Sequence, residues 1–322
     1  MSKQIGVLRL GVTILASAAF VATWSSGFLV PAIATDASAL TLLVWRFVPL
    51  AVVLIVIVLA SGAARGVPRA DMRRQALIGL FAQFGYCAAV YAAIAAGVAT
   101  GTTALIDAVQ PLVVAMLVGP LLGLRVRAAQ WAGLVLGALG VLLVVRSQLG
   151  GSDAPPSAYL LPALAMACLI VGTFLQRRSA ARTGVLLTLT IHVTVTATAL
   201  LVIGALAGAL LPPASVSFWI AAAFSAAFPT LAAYGLYWWL LRRVGITALN
   251  ALLFLVAPAT AAAGALLLGE QLTVVTLIGF VLCGAGVGAV LVSESRASRA
   301  HDSHQAVLRA RGTRDEPAAS RP

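Results

Sequence analysis

The sequence predicts an all-α integral membrane protein of ten transmembrane helices, arranged as two inverted five-helix repeats. Three observations predict it. Of the 322 residues, 61% are hydrophobic and 9% charged, with a mean hydropathy of +1.05, whereas a soluble domain holds nearly half apolar and about a quarter charged residues. The apolar residues fall in runs of about 20, the length a helix needs to cross a hydrocarbon core about 30 Å thick, and not in the roughly ten-residue alternating segments of a barrel. Lastly, the chain reads twice, with the same residues at the same spacings in each half. This composition excludes a disulfide scaffold, a disordered chain and an ordinary soluble enzyme.

Breaks rich in Arg, Pro and Gly separate spans near residues 8–30, 38–60, 75–96, 101–123, 129–146, 158–176, 184–210, 216–241, 245–268 and 272–293. Span 1 follows Lys3 and Arg9 and ends by Ala32-Ile33-Ala34, which imitates a signal peptide with its A-x-A site. Its apolar stretch exceeds the 7–15 residues of a signal core, so it reads as a helix. Span 2 carries Arg46, span 3 the polar and aromatic Gln83, Tyr86 and Tyr91, span 4 Asp107 and Pro111, and span 5 a run of glycines. Spans 6 and 10 hold Cys168 and Cys283 and span 3 holds Cys87, each without metal-like spacing, so the cysteines read as small packing residues. Around His192 in span 7, "LTLTIHVTVTAT" alternates as a strand would. A lone strand cannot cross lipid with unpaired edges, so a helix is expected there, its threonines bonding back to the preceding turn. Span 8 brings Tyr234, Tyr237, Trp238 and Trp239, and span 9 brings Asn250 and Pro258. Residues 297–322 are polar, without apolar period, and read as a disordered cytoplasmic tail.

The net charge of +12 does not point to nucleic acid. With the amino terminus in the cytoplasm, every Lys and Arg except Arg46 and Arg146 falls on an inner segment, which is the positive-inside pattern of a multi-pass cell-membrane protein with both termini cytoplasmic.

The repeat fixes the architecture. Pro111, Leu122-Gly123, Gly133 and Gly140 in spans 4 and 5 are echoed by Pro258, Leu268-Gly269, Gly279 and Gly286 in spans 9 and 10. Arg46 precedes Gly62 by the same distance as His192 precedes Gly208. Five spans per half is odd, so the second repeat enters from the opposite side and the halves are inverted. Residues 1–150 form the first repeat and 151–296 the second. A site near the pseudo-two-fold axis can open alternately to either side, so the layout suggests a carrier.

Four stretches resemble one family: "WSSGFLV" in span 1, "WRFVPLAVVL" in span 2, "ALIDAVQPLVVAMLVGPLLG" leading to "QWAGLVLGALGVLLV" in spans 4 and 5, and "ALNALLFLVAPATAAAGALLLGEQLTVVTLIGFVLCGAGVGAVLV" in spans 9 and 10. They resemble the ten-helix EamA-like branch of the drug/metabolite transporter superfamily. The resemblance covers residues 8–293 and implies a secondary carrier, commonly an exporter of amino acids, other metabolites or toxic compounds. Members often carry Gly-Glu after spans 4 and 9; here Glu270 keeps it and Leu124 replaces the first copy. That departure puts a role for the glutamate in doubt, and Glu270 itself reads as a loop or helix-end residue.

Ionisable groups in a bilayer are costly and mark function by default, with pairing and snorkelling as the bland alternatives. Thr100, Thr103, Asp107 and Gln110 fall within about 80° of one another on a helix and form a polar stripe. Pro111 denies the Asp107 carbonyl its helical amide, so a kink is expected there, as at Pro258. Asp107 is the candidate for substrate contact or proton coupling. Arg46 could pair with Asp107 or grip a substrate carboxylate with its planar fork, and His192 could exchange protons or merely pack. Gln83, Tyr86, Tyr234 and Trp238 are pocket candidates, whereas Trp239 suits an interfacial belt. Asn250 follows Thr247-Ala248-Leu249, which echoes the Thr103-Ala104-Leu105 that precedes Asp107, so it is a candidate partner across the axis. Gly133, Gly137 and Gly140, with Gly279, Gly284 and Gly288, offer small faces for close packing.

The expected activity is secondary-active transport of a small polar or amphipathic metabolite, amino-acid-like before other classes, exported by proton-coupled alternating access. Export of toxic or drug-like cations, or metabolite uptake, stays open beside it. An enzyme would need a metal cluster or an activated nucleophile, yet the spans hold one His, one Asp and no close pairing. Rings of like residues expected of a channel are absent from the sequence, as is a phosphate-binding loop. No cofactor, metal or nucleic acid is expected; the partners are the substrate, protons and the bilayer, and a homodimer stays open.

Overall fold

The computed structural model describes residues 2–33, 37–98, 103, 107, 110–123, 126–146, 154–179, 183–268, 274–275, 277–290, 292–293 and 296. Thr100, Leu124, Glu270 and the tail at 297–322 lie outside them. Among the described residues the regular structure is helical throughout, without a strand. In chain order the helices are α1 (Ser2–Ile33), α2 (Ala39–Ser61), α3 (Arg69–Ala95), α4 (Gln110–Leu122), α5 (Ala128–Arg146), α6 (Leu160–Arg178), α7 (Val185–Leu206) and α8 (Val216–Arg243). Next comes α9, built from Gly245–Leu252, a 3₁₀ turn at Leu253–Leu255 and Val256–Leu268, and then α10 (Leu277–Val290). Six of them, α1, α2, α3, α6, α7 and α8, are long and apolar enough to cross a membrane; α5, α9 and α10 contribute shorter apolar stretches. Outward-facing residues are apolar, as a lipid-facing surface requires: Leu15, Val56, Leu59, Leu206 and Leu266 are all exposed.

Local chemistry sets the helix ends. Ser38 caps α2 by accepting from the Thr41 amide (3.0 Å), and Gly62 closes it at φ 67°, a left-handed turn that a side chain resists. Gly208, its counterpart in the repeat, follows α7 at φ 65°. The alternating segment in α7 is helical, and Thr190, Thr196 and Thr198 each donate to the carbonyl four residues back at 2.8–2.9 Å. Packing against neighbours and the need to satisfy backbone groups in lipid override its strand-like pattern.

The two halves interlock crosswise. One extensive pairing is α2 with α7, which occupy the same place in each repeat. Equally, α3 packs on α6 while α8 packs on α1, and α4 meets α9. Between α5 and α10 the backbones nearly touch: a Cβ on Gly140 would stand 2.7 Å from the Gly279 carbonyl oxygen, and one on Gly286 2.5 Å from that of Gly133. Gly133 and Gly279 are repeat counterparts, as are Gly140 and Gly286, so each meets the other's equivalent and the two helices run antiparallel. Gly284 and Gly288 do not share this face, contrary to the expectation from spacing; a Cβ on either would meet nothing within 4 Å. The close face on α10 follows the seven-residue Gly279–Gly286 step, and Gly284 and Gly288 sit off it.

Two helices widen to π geometry inside the bundle. Leu80–Gly85 in α3 and Ala226–Ala232 in α8 are π turns, and Leu80 and Ala226 are as far apart in sequence as Gly133 and Gly279. In α8 the cause is Pro229, whose missing N–H leaves the Ser225 carbonyl without its usual partner; the Thr230 hydroxyl donates to that oxygen at 2.8 Å. In α3 no proline occupies the turn.

Candidate functional site

Next to the π turns, α3 and α8 both contribute to the wall of one cavity, and polar side chains gather around it. Asp107 is helical and buried, and its Oδ2 accepts from the Tyr86 hydroxyl just past the first π turn (3.0 Å). Its Oδ1 has no hydrogen-bond partner among the described residues. One turn on, Gln110 donates through Nε2 to Asn250 Oδ1 (3.0 Å), and Asn250 donates to the Ile246 carbonyl of its own helix (2.8 Å). The stripe of Thr103, Asp107 and Gln110 is thus wholly buried, and Gln110 reaches the opposite repeat. Pro111 is helical beside it, while Pro258 follows the 3₁₀ turn that interrupts α9. Replacing Gln110 by Leu removes the bond between halves and is expected to cost about 0.6–2 kcal/mol, the range of interhelical hydrogen bonds in lipid. The midpoint of unfolding in detergent measures it.

Arg46 does not pair with Asp107. Its Nε donates to the Thr230 hydroxyl in the second π turn (2.6 Å) and Nη1 to the Tyr91 hydroxyl (3.0 Å), and its guanidinium lies 5.0 Å from the centroid of the Phe47 ring. Tyr86 takes the carboxylate and Tyr91 the guanidinium, so the two charges are separated by hydroxyls from one helix. A buried charge inside a helix costs about 2.5–3.5 kcal/mol on insertion scales, and the one hydroxyl on Asp107 and the two on Arg46 offset only part of it. Between Arg46, Trp24, Tyr86, Tyr91 and Tyr234 lies a cavity of about 30 Å³, with Cys87 and Pro229 also on its wall. That volume suits water and not a metabolite, so this conformation is contracted around the site.

An aromatic cluster continues from the cavity wall into the bundle. Trp24 stands 5.2 Å from Tyr234, 5.4 Å from Tyr237 and 5.8 Å from Tyr86, ring centre to ring centre. Tyr237 is pinned by Thr173 at 2.5 Å. Beyond it, His192 packs edge-on against Trp238 (5.3 Å), and its Nε2 pairs with Gln75 Oε1 (3.1 Å). The α3 backbone comes so near here that a Cβ on Gly79 would stand 2.7 Å from the His192 Cα. Gln83, in the first π turn, is fully buried with neither side-chain polar atom bonded among the described residues. Sequence reasoning missed Trp24, Gln75, Thr173 and Thr230; of these Thr230 had a signal, since it follows a proline inside an apolar span. Trp239 lies apart from the cluster, with the Arg243 guanidinium 5.0 Å from its ring centroid.

The model of the EamA-like transporter family matches residues 10–146 and again 156–292. The chain belongs to that family. Membership places the protein among multi-pass membrane transporters of the drug/metabolite kind, and each copy of the EamA-like unit carries one π turn. A solved crystal structure superposes on this EamA-like chain with a TM-score of 0.73, covering 89% of it and 99% of the solved chain at 19% sequence identity, a likeness of fold. No curated protein sequence matches it significantly.

Proposed function

We propose that this protein is a secondary-active exporter that moves a small polar or amphipathic metabolite, amino-acid-like in chemistry, in exchange for protons. The observation that carries the reading is Asp107, a buried carboxylate held by a single tyrosine hydroxyl beside a hydrogen bond that joins the two repeats. A carboxylate so placed can hold a proton in one state and release it in another, and a change in how α4 meets α9 alters its surroundings. The crosswise glycine contacts of α5 and α10 support a two-fold relation between residues 1–150 and 151–296, in keeping with ten crossings and inverted halves, and the Lys and Arg distribution supports both termini on the cytoplasmic side of the cell membrane. Rocking about that axis would open the contracted cavity to one face at a time.

Untargeted mass spectrometry of spent medium tests this, comparing cells with the wild-type chain, Asp107→Ala or an empty vector. One compound class should accumulate with wild type alone. Identical media from all three would overturn export as the direction.

A further inference from the structure

We propose that Arg46 is the docking point for a carboxylate on the transported molecule, and that this carboxylate, not an amino group, is what the protein selects. The inference deepens the transport reading above and rests on it. Arg46 is 3% exposed and sits about 10 Å along α2 from Ala39, at 1.5 Å per residue. Its hydrogen-bond partners among the described residues, Thr230 and Tyr91, are both neutral. A guanidinium does not shed its charge in a protein, so hydroxyls solvate it without neutralising it. Arg46 also lines the cavity. A molecule that brings a negative charge there supplies the counter-ion that the fold withholds by giving Asp107 to Tyr86.

The surroundings narrow the chemistry. A carboxylate is planar and offers two oxygens to the guanidinium fork. Trp24, Tyr86 and Tyr234 form the wall, so the rest of the molecule is apolar or aromatic. A cation lacking an acid group would bring like charge to a buried guanidinium and is rejected. Thr230 is a positioning residue: its oxygen accepts from Arg46 while its proton goes to the Ser225 carbonyl, so the π turn of α8 aims the guanidinium.

The experiment uses the full chain in proteoliposomes and the counterflow of three probes of one shape: phenylalanine, hydrocinnamate, which lacks the amine, and phenylalaninamide, which lacks the acid. Phenylalanine and hydrocinnamate should exchange, with phenylalaninamide weaker by about a hundredfold, as expected when a hydrogen bond to a charged group is lost. Arg46→Lys keeps the charge and loses the fork, and should weaken both acids about tenfold. Because a variant at a buried site can fail to fold, thermal unfolding of the wild-type chain gives a second measure: hydrocinnamate should raise its midpoint and phenylalaninamide should not. Exchange of the amide as readily as the acids overturns this inference and leaves transport standing. No exchange of any probe by folded protein overturns both.

Discussion

Replacing Asp107 by Asn is expected to abolish the substrate gradient that a proton gradient sustains. The arithmetic is direct: a difference of one pH unit is worth about 1.4 kcal/mol per proton, so one-for-one exchange holds about a tenfold substrate gradient. Asparagine has nearly the shape of aspartate and its amide oxygen can still accept from the Tyr86 hydroxyl, now at 3.0 Å from Oδ2, but it cannot take up and release a proton. The gradient in proteoliposomes carrying a one-unit pH step should therefore fall from about tenfold to near unity. A steady gradient is an equilibrium quantity, so a slower but still coupled variant would reach the same ratio late. Following the approach to plateau separates a crippled carrier from an uncoupled one. Persistence of a tenfold gradient in Asp107→Asn would remove this residue from the coupling step and leave the Tyr86 bond a structural one.

Placement of Asp107 was legible in the sequence because helical periodicity is: Thr103, Asp107 and Gln110 share a face, and all three are buried. Six of the spans were legible for the same kind of reason, since bilayer thickness sets their length, and so was the repeat, because close backbone approach demands glycine at fixed spacing. What the sequence leaves undetermined is partner choice. Arg46 and Asp107 are the obvious ion pair by charge, yet Tyr86 and Tyr91, on opposite sides of one turn and a half of α3, take one each. Only the packing of three helices decides that. The π turn at Leu80–Gly85 has no local signature, and its partner at Ala226–Ala232 has only Pro229. Their equal placement in the two repeats means that each half widens its third helix beside the cavity. That widening turns Thr230 toward Arg46, so the arrangement that the charges alone could not predict follows from backbone geometry.

A methyl group added at Gly286 is expected to destabilise the protein by roughly 2 kcal/mol, within the 1–3 kcal/mol of overpacked sites. The same change two residues away at Gly284 or Gly288 should be neutral or stabilising by up to about 1 kcal/mol, as glycine-to-alanine is in an unobstructed helix. The contrast isolates one cause. At Gly286 the new carbon would meet the Gly133 carbonyl oxygen at 2.5 Å and the Gly137 nitrogen at 2.6 Å, both backbone atoms that no rotamer change can move. At Gly284 and Gly288 it would meet nothing within 4 Å. Lipid tails are as apolar as the side chains, so helix association there depends on van der Waals fit and little hydrophobic gain offsets a widened crossing. The loss should be mirrored at Gly140, where a Cβ would lie 2.7 Å from the Gly279 carbonyl oxygen, because a two-fold relation makes the two sites equivalent. Unfolding midpoints of Gly140→Ala, Gly284→Ala, Gly286→Ala and Gly288→Ala, measured side by side in detergent, decide it. Equal midpoints at Gly284 and Gly286 would mean that α5 and α10 do not cross at these glycines, and the support they lend to inverted halves would go with them.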